Sequence, residues 1–236
     1  MKFGFYDSGI GGLMVVREIV ERIGCVDVLY LADTANFPYG DKGKDELLRI
    51  GKRNLRFLFE SGVDAVVVAC NTLSVTVGES LRREFEKPVI LITDFLENFQ
   101  LPENSILIGT KGTVESGFYQ RRLGVKALAT PKLAQFVELG VWEGREVESY
   151  LGETLPDDFD SIILACTHYT ALRGTIKKLK PNVKIFDVSE LFAEYFALKF
   201  ANMKLGGEIR IFLTGSGDKY PEIVSALKFP CPVKFL

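Results

Sequence analysis

Histidine is nearly absent from the chain: His168 is the only one in 236 residues, and tryptophan is equally scarce. A structural zinc site that draws on histidine is therefore poorly supplied. The four cysteines (Cys25, Cys70, Cys166 and Cys231) form no C-x-x-C pair and show no small-domain disulfide spacing. No apolar run approaches the ~20 residues that a membrane-spanning helix needs. Charges appear at Lys2 and Asp7, too early for a secretory signal, so the expected setting is the cytoplasm. An excess of either charge is missing as well. The 29 Lys+Arg against 31 Asp+Glu leave a net charge of −2, which argues against a nucleic-acid binder working through a basic face. Isolated cysteines in a reducing compartment are usually inert core thiols, and Cys25 and Cys231 are read that way.

Ordinary globular composition remains, with 47% hydrophobic and 25% charged residues. Apolar runs rich in β-branched and aromatic residues fall at 2–7, 26–32, 65–69, 89–92, 105–108, 161–165, 183–186 and 210–213. Helical periodicity falls at 12–23, 45–61, 75–86, 113–123, 132–139, 170–179 and 189–203. Near-continuous apolar strands suit a sheet covered on both faces, and the alternation predicts parallel βαβ units. The expected fold is α/β, with its site at the C-terminal ends of the strands.

An internal echo points to two related lobes. Residues 63–72, VDAVVVACNT, align without gaps on residues 159–168, FDSIILACTH. Both segments end a strand on a cysteine. The expected organisation is two similar lobes, each a mostly parallel sheet flanked by helices, with a cleft between them. Residues 1–92 plus 207–236 form the first lobe and 93–206 the second, with Gly206-Gly207 marking the return crossing.

Three loops could carry chemistry. Asp7-Ser8-Gly9-Ile10-Gly11-Gly12 opens into a helix, where glycines let backbone amides approach an anion; a capping role is the plainer alternative. Cys70-Asn71-Thr72 and Cys166-Thr167-His168 each set a thiol where a buried strand meets a helix N-terminus, which stabilises a thiolate. Taken singly, each thiol reads as core. As a matched pair they face one another across the cleft, and such a pair suits inversion at a Cα: one thiolate removes a proton and the opposite thiol returns one. Nothing in the sequence demands a cofactor.

Five ordered segments, Phe5–Gly12, Ala32–Gly40, Val68–Thr72, Ile108–Thr113 and Ala165–Tyr169, resemble the motifs of the glutamate racemase family, in the cofactor-independent aspartate/glutamate racemase group. Phe212–Asp218 is similar to the family's C-terminal segment, so the resemblance spans essentially the whole chain. It implies Cys70 and Cys166 as the acid/base residues, assisted by Asp7 on one side and by Glu138 and His168 on the other. It implies substrate contacts from Asp7, Ser8, Tyr39, Gly40, Asn71, Thr72, Thr110, Thr113, Thr167 and His168. Gln135 and Thr170 stand where the family usually has Pro, and Asn36 where Arg is common; these departures leave room for altered substrate preference. The implied activity is interconversion of L- and D-glutamate without metal or organic cofactor, supplying peptidoglycan, with a small amino acid as partner and homodimers as an assembly the family forms. Two alternatives stay open: a racemase for aspartate or another small amino acid, and a non-catalytic carboxylate-binding or regulatory protein. Asp7 beside Cys70 is expected to raise the thiol's pKa by like-charge repulsion.

Overall fold

The computed structural model describes residues 1–200 and 206–236. Among them the strands are β1 (Phe3–Asp7), β2 (Val28–Ala32), β3 (Ala65–Val68), β4 (Val89–Leu91), β5 (Ser105–Gly109), β6 (Lys126–Ala129), β7 (Ser161–Ala165), β8 (Lys184–Asp187), β9 (Ile209–Leu213) and β10 (Val233–Phe235). The helices are α1 (Gly11–Ile23), α2 (Lys44–Glu60), α3 (Asn71–Glu84), α4 (Lys111–Glu115), α5 (Phe118–Leu123), α6 (Pro131–Glu138), α7 (Arg145–Thr154), α8 (Arg173–Leu179), α9 (Val188–Lys199) and α10 (Tyr220–Leu227). They build two sheets, ordered β10-β9-β2-β1-β3-β4 and β6-β5-β7-β8. Every strand pair is parallel. The central strands β1, β2, β3 and β7 are buried along their whole length, as their unbroken apolar sequences require when helices cover both faces.

The register sets the site. β1 lies between β2 and β3, with Tyr6 opposite Leu31 and Val68, so the loops after β1, β2 and β3 leave the sheet at one level. In the second sheet β5 lies between β6 and β7 with Gly109 opposite Ala129 and Ala165, which brings Thr110, Thr130 and Cys166 together. α1 packs on α9 and on the turn that follows β7, so the first helix of one sheet seats the functional loop of the other. No helix among the described residues is long and apolar enough to cross a membrane.

Several elements differ from expectation. β6 is a short edge strand, Lys-Ala-Leu-Ala, without a β-branched residue, and β10 is three residues at the chain end; neither carries a strong strand pattern. α7 and α10 were not anticipated. The helix expected at 113–123 breaks at Gly117, which takes φ +65°, and the one expected from 170 begins as a 3₁₀ turn over Thr167–Leu172. α9 ends at Lys199, and the expected continuation over 201–203 lies outside the described residues.

Cys25 and Cys231 are not free core thiols. They form a disulfide with their Cα atoms 5.6 Å apart. Cys25 precedes β2 and Cys231 precedes β10, and both strands start level with Ile209 of β9. Parallel pairing thus brings the two cysteines to the same sheet margin, a proximity that no local spacing could reveal.

Candidate active site

Cys70 stands two residues past β3, at the N-cap position of α3; Cys166 directly follows β7 and leads into the 3₁₀ turn. Both are reduced and buried. They line one cleft with about 450 Å³ of atom-free space, its mouth included. Asp7, Ser8, Tyr39, Gly40, Asn71, Thr72, Thr110, Thr167 and His168 share its wall. Phe37, Pro38, Asp41, Pro131, Ala134 and Gln135 also line it, and sequence reasoning did not name them as contacts. Two expected site residues stand behind the wall. Thr113 donates its backbone N–H to Thr110 Oγ1 (3.1 Å) and shares the hydroxyl cluster of Thr72 and Thr110, which are 2.7 Å apart. Glu138 lies behind His168.

The Cys70 side is built around a buried carboxylate. Asp7 accepts the Ser8 N–H (2.7 Å) and the Thr167 hydroxyl (2.8 Å), so one acid ties the loop after β1 to the loop after β7. Burial pushes the Asp7 pKa up, against the opposing pull of His168 and these hydrogen bonds. Cys70 Sγ lies 4.0 Å from Ser8 Oγ. Its pKa is pushed well up, first by burial and second by the Asp7 charge, with the Leu73 N–H working the other way. The expected direction holds, but desolvation outweighs the like charge that sequence reasoning put first.

The Cys166 side carries a chain of hydrogen bonds. Sγ is 3.8 Å from His168 Nδ1, and His168 Nε2 is 2.7 Å from Glu138 Oε2. Glu138 also accepts the Ile10 N–H (3.0 Å) and the Tyr220 hydroxyl (2.5 Å). Burial lowers the His168 pKa, yet hydrogen bonds and charge from Cys166 and Glu138 overcome it and hold the imidazole well above its usual value. Burial likewise raises Glu138, and His168, Tyr220 and Ile10 reverse it, keeping the carboxylate below its usual range. An ionised glutamate against a charge-retaining imidazole follows.

This geometry also defines the role of the glycine loop. A Cβ on Gly9 would run into the Glu138 carboxylate, and one on Gly11 into Thr167 and His168. These glycines let the loop after β1 lie flat on the Glu138–His168 pair and bring the Ile10 N–H onto the Glu138 carboxylate. The loop after β2 is fixed differently. Tyr39 donates to the buried Asp33 (2.6 Å) and pairs with Tyr6, whose hydroxyl accepts from Asn54 (3.0 Å). Asn71 accepts the Tyr119 hydroxyl through Oδ1 (2.6 Å), and its buried Nδ2 finds no partner among the described residues.

A glutamate racemase from Persephonella marina is 35% identical over 94% of this chain and 92% of its own length. The chain belongs to the glutamate racemase family. The glutamate racemase of Aquifex pyrophilus is 41% identical over 80% of each sequence. Among solved structures, the glutamate racemase of Thermus thermophilus, in complex with β-chloro-D-alanine, superposes with a TM-score of 0.86 at 31% identity, covering 100% of this chain and 96% of that one. No family model matches the chain. As a member of the glutamate racemase family the chain is an amino-acid racemase, an isomerase, which sets aside the non-catalytic alternative.

Proposed function

We propose that Cys70 and Cys166 are the two proton carriers in a cofactor-independent interconversion of L- and D-glutamate. The observation that carries this reading is one cleft walled by two reduced thiols, each at the end of a central strand of a different sheet. In one direction the Cys70 thiolate takes the Cα proton and becomes a thiol, while the Cys166 S–H gives its proton to the opposite face and becomes a thiolate. The reverse reaction exchanges the roles. Burial and, second to it, the Asp7 charge keep Cys70 protonated in the free enzyme, and the substrate ammonium compensates the Asp7 charge on binding, so the thiolate forms where it is used. His168, backed by Glu138, holds the matching charge beside Cys166.

Asn71 Nδ2 and the Ser8, Thr72 and Thr110 hydroxyls supply donors for the two carboxylates, while the Ser8 backbone and the Thr167 hydroxyl hold Asp7, with Tyr39 and Gly40 closing the wall and Thr113 positioning Thr72 and Thr110. Residues 1–92 plus 207–236 and residues 93–206 act as the two lobes that close on the ligand. The D-glutamate serves peptidoglycan synthesis, which sets the enzyme in the cytoplasm, where it can assemble as a homodimer. Incubation of each glutamate enantiomer in D₂O tests the reading: deuterium entering Cα with loss of optical activity from both sides is expected. Exchange with aspartate in place of glutamate would move the specificity to another small amino acid, and no exchange with either would overturn the reading.

A further inference from the structure

The C-terminal helix reaches the acid/base machinery from a distant part of the chain. Tyr220, the first residue of α10 and almost fully buried, donates its hydroxyl to Glu138 Oε1 across 2.5 Å and 82 residues of sequence. Its neighbour Lys219 donates to the Leu139 carbonyl (3.1 Å), so this segment grips the end of α6 at two adjacent residues. Gly217 packs against the Tyr220 ring and accepts its backbone N–H (2.9 Å), fixing where the ring stands. Glu138 thereby has both oxygens engaged: Oε2 by His168 and Ile10, Oε1 by Tyr220.

We propose that Tyr220 is a positioning residue that acts through Glu138 and His168 on the Cys166 thiol. The proposal rests on the reading of Cys166 as a proton carrier. An ionised carboxylate only accepts, so the single hydroxyl proton of Tyr220 points at Glu138 and fixes the carboxylate plane. That orientation aims Oε2 at His168 Nε2–H and turns Nδ1 toward the sulfur. The imidazole is already charged, so its Nδ1–H steadies the Cys166 thiolate, and the carboxylate cannot take the Nε2 proton cheaply because Ile10 and Tyr220 also stabilise its charge. Without the hydroxyl, Oε1 is left buried and unpaired, and Glu138 competes for that proton. The other ionisable groups facing the pair are Asp7 and Tyr30, and Tyr30 is spent on the Gly9 carbonyl.

Tyr220→Phe removes the hydroxyl and keeps the ring. Leaving a buried carboxylate oxygen unpaired is expected to lower kcat about 10- to 100-fold with KM changed about 3-fold at most. The acidic limb of the kcat/KM profile is expected to move up by about one pH unit, since Glu138 loses a donor to its charged form. In the Glu138→Gln background the same substitution is expected to add little, whereas a purely structural role would cost the same in either background. Near-ultraviolet circular dichroism and the melting temperature check that the variant is folded; should it fail to fold, Tyr220→His, which keeps a ring and a donor, must recover turnover. An unchanged kcat and pH profile, or full additivity with Glu138→Gln, overturns the proposal alone. Full turnover in Cys166→Ser overturns the reading beneath it, and the proposal with it.

Discussion

The two thiols occupy matching places, Cys70 two residues past the buried strand β3 and Cys166 one residue past β7, yet their surroundings are opposite in sign. Cys70 begins a fourteen-residue α-helix and has a buried acid, Asp7, for a neighbour. Cys166 begins a 3₁₀ turn and has an imidazole whose charge is held by a glutamate. The far end of that turn is anchored too: Thr170 donates to Asp187 (3.1 Å) and to Ser189 (2.8 Å) at the start of α9. The lesson is that a duplicated backbone position need not carry duplicated electrostatics. A reaction run in both directions needs two proton carriers, but each can be poised by different neighbours.

The sharpest way to break the comparison is to remove one sulfur at a time. Cys70→Ser and Cys166→Ser are each expected to lower racemisation by roughly 10³-fold or more. The surviving thiol in each variant is expected to exchange Cα hydrogen from one enantiomer only, and from opposite enantiomers in the two variants; ¹H NMR in D₂O reads this directly. Asp7→Asn comes next, with turnover down by about 10- to 100-fold through loss of a charge in the site. Removing the like charge should lower the Cys70 pKa, so alkylation of Cys70 by iodoacetamide at pH 8 is expected to speed up in the variant while catalysis slows. The equivalent change at Glu138 should leave Cys70 alkylation unchanged.

Asp187 gives a smaller effect on turnover and a clear one on stability. Burial raises its carboxyl to about 6, only partly offset by the Ser189 N–H and by Arg173. A raised folded-state pKa means that the native protein binds the proton more tightly than the unfolded chain. The corresponding stability is present below about pH 4 and is lost as the pH rises through about 6, by roughly 3 kcal/mol for two units. Urea denaturation at several pH values should show this slope in the wild type and its absence in Asp187→Asn, with kcat changed less than about 2-fold. The smallest effect is expected for Thr170→Val, about 1 kcal/mol from one hydroxyl's hydrogen bonds, read from the same denaturation curves.

Much of this molecule is legible along the chain because its central strands are continuous apolar runs ending in small polar residues. The edge strand β6 was missed because an exposed margin needs no apolar pattern, and α7 because only Val147 and Leu151 of its ten residues are buried. Asp7, Cys70, Cys166 and His168 stand on loops whose sequence is itself distinctive. Tyr220 and Asp33 are legible only in space: each is an ordinary residue by composition and acquires its role when a remote segment folds back. The glycines after β1 carried a true signal, but the carboxylate that they accommodate, Glu138, lies 128 residues away from Ile10.

The bond between Cys25 and Cys231 has a topological consequence. It closes a ring between positions 206 apart in the sequence, leaving a tail that holds β1 and α1 at one end and β10 at the other. A protease that cuts any single loop within the ring, in either sheet, leaves the fragments joined as one covalent molecule. Oxidised protein nicked once should therefore run as a single species on a non-reducing gel and separate into two only after reductant is added.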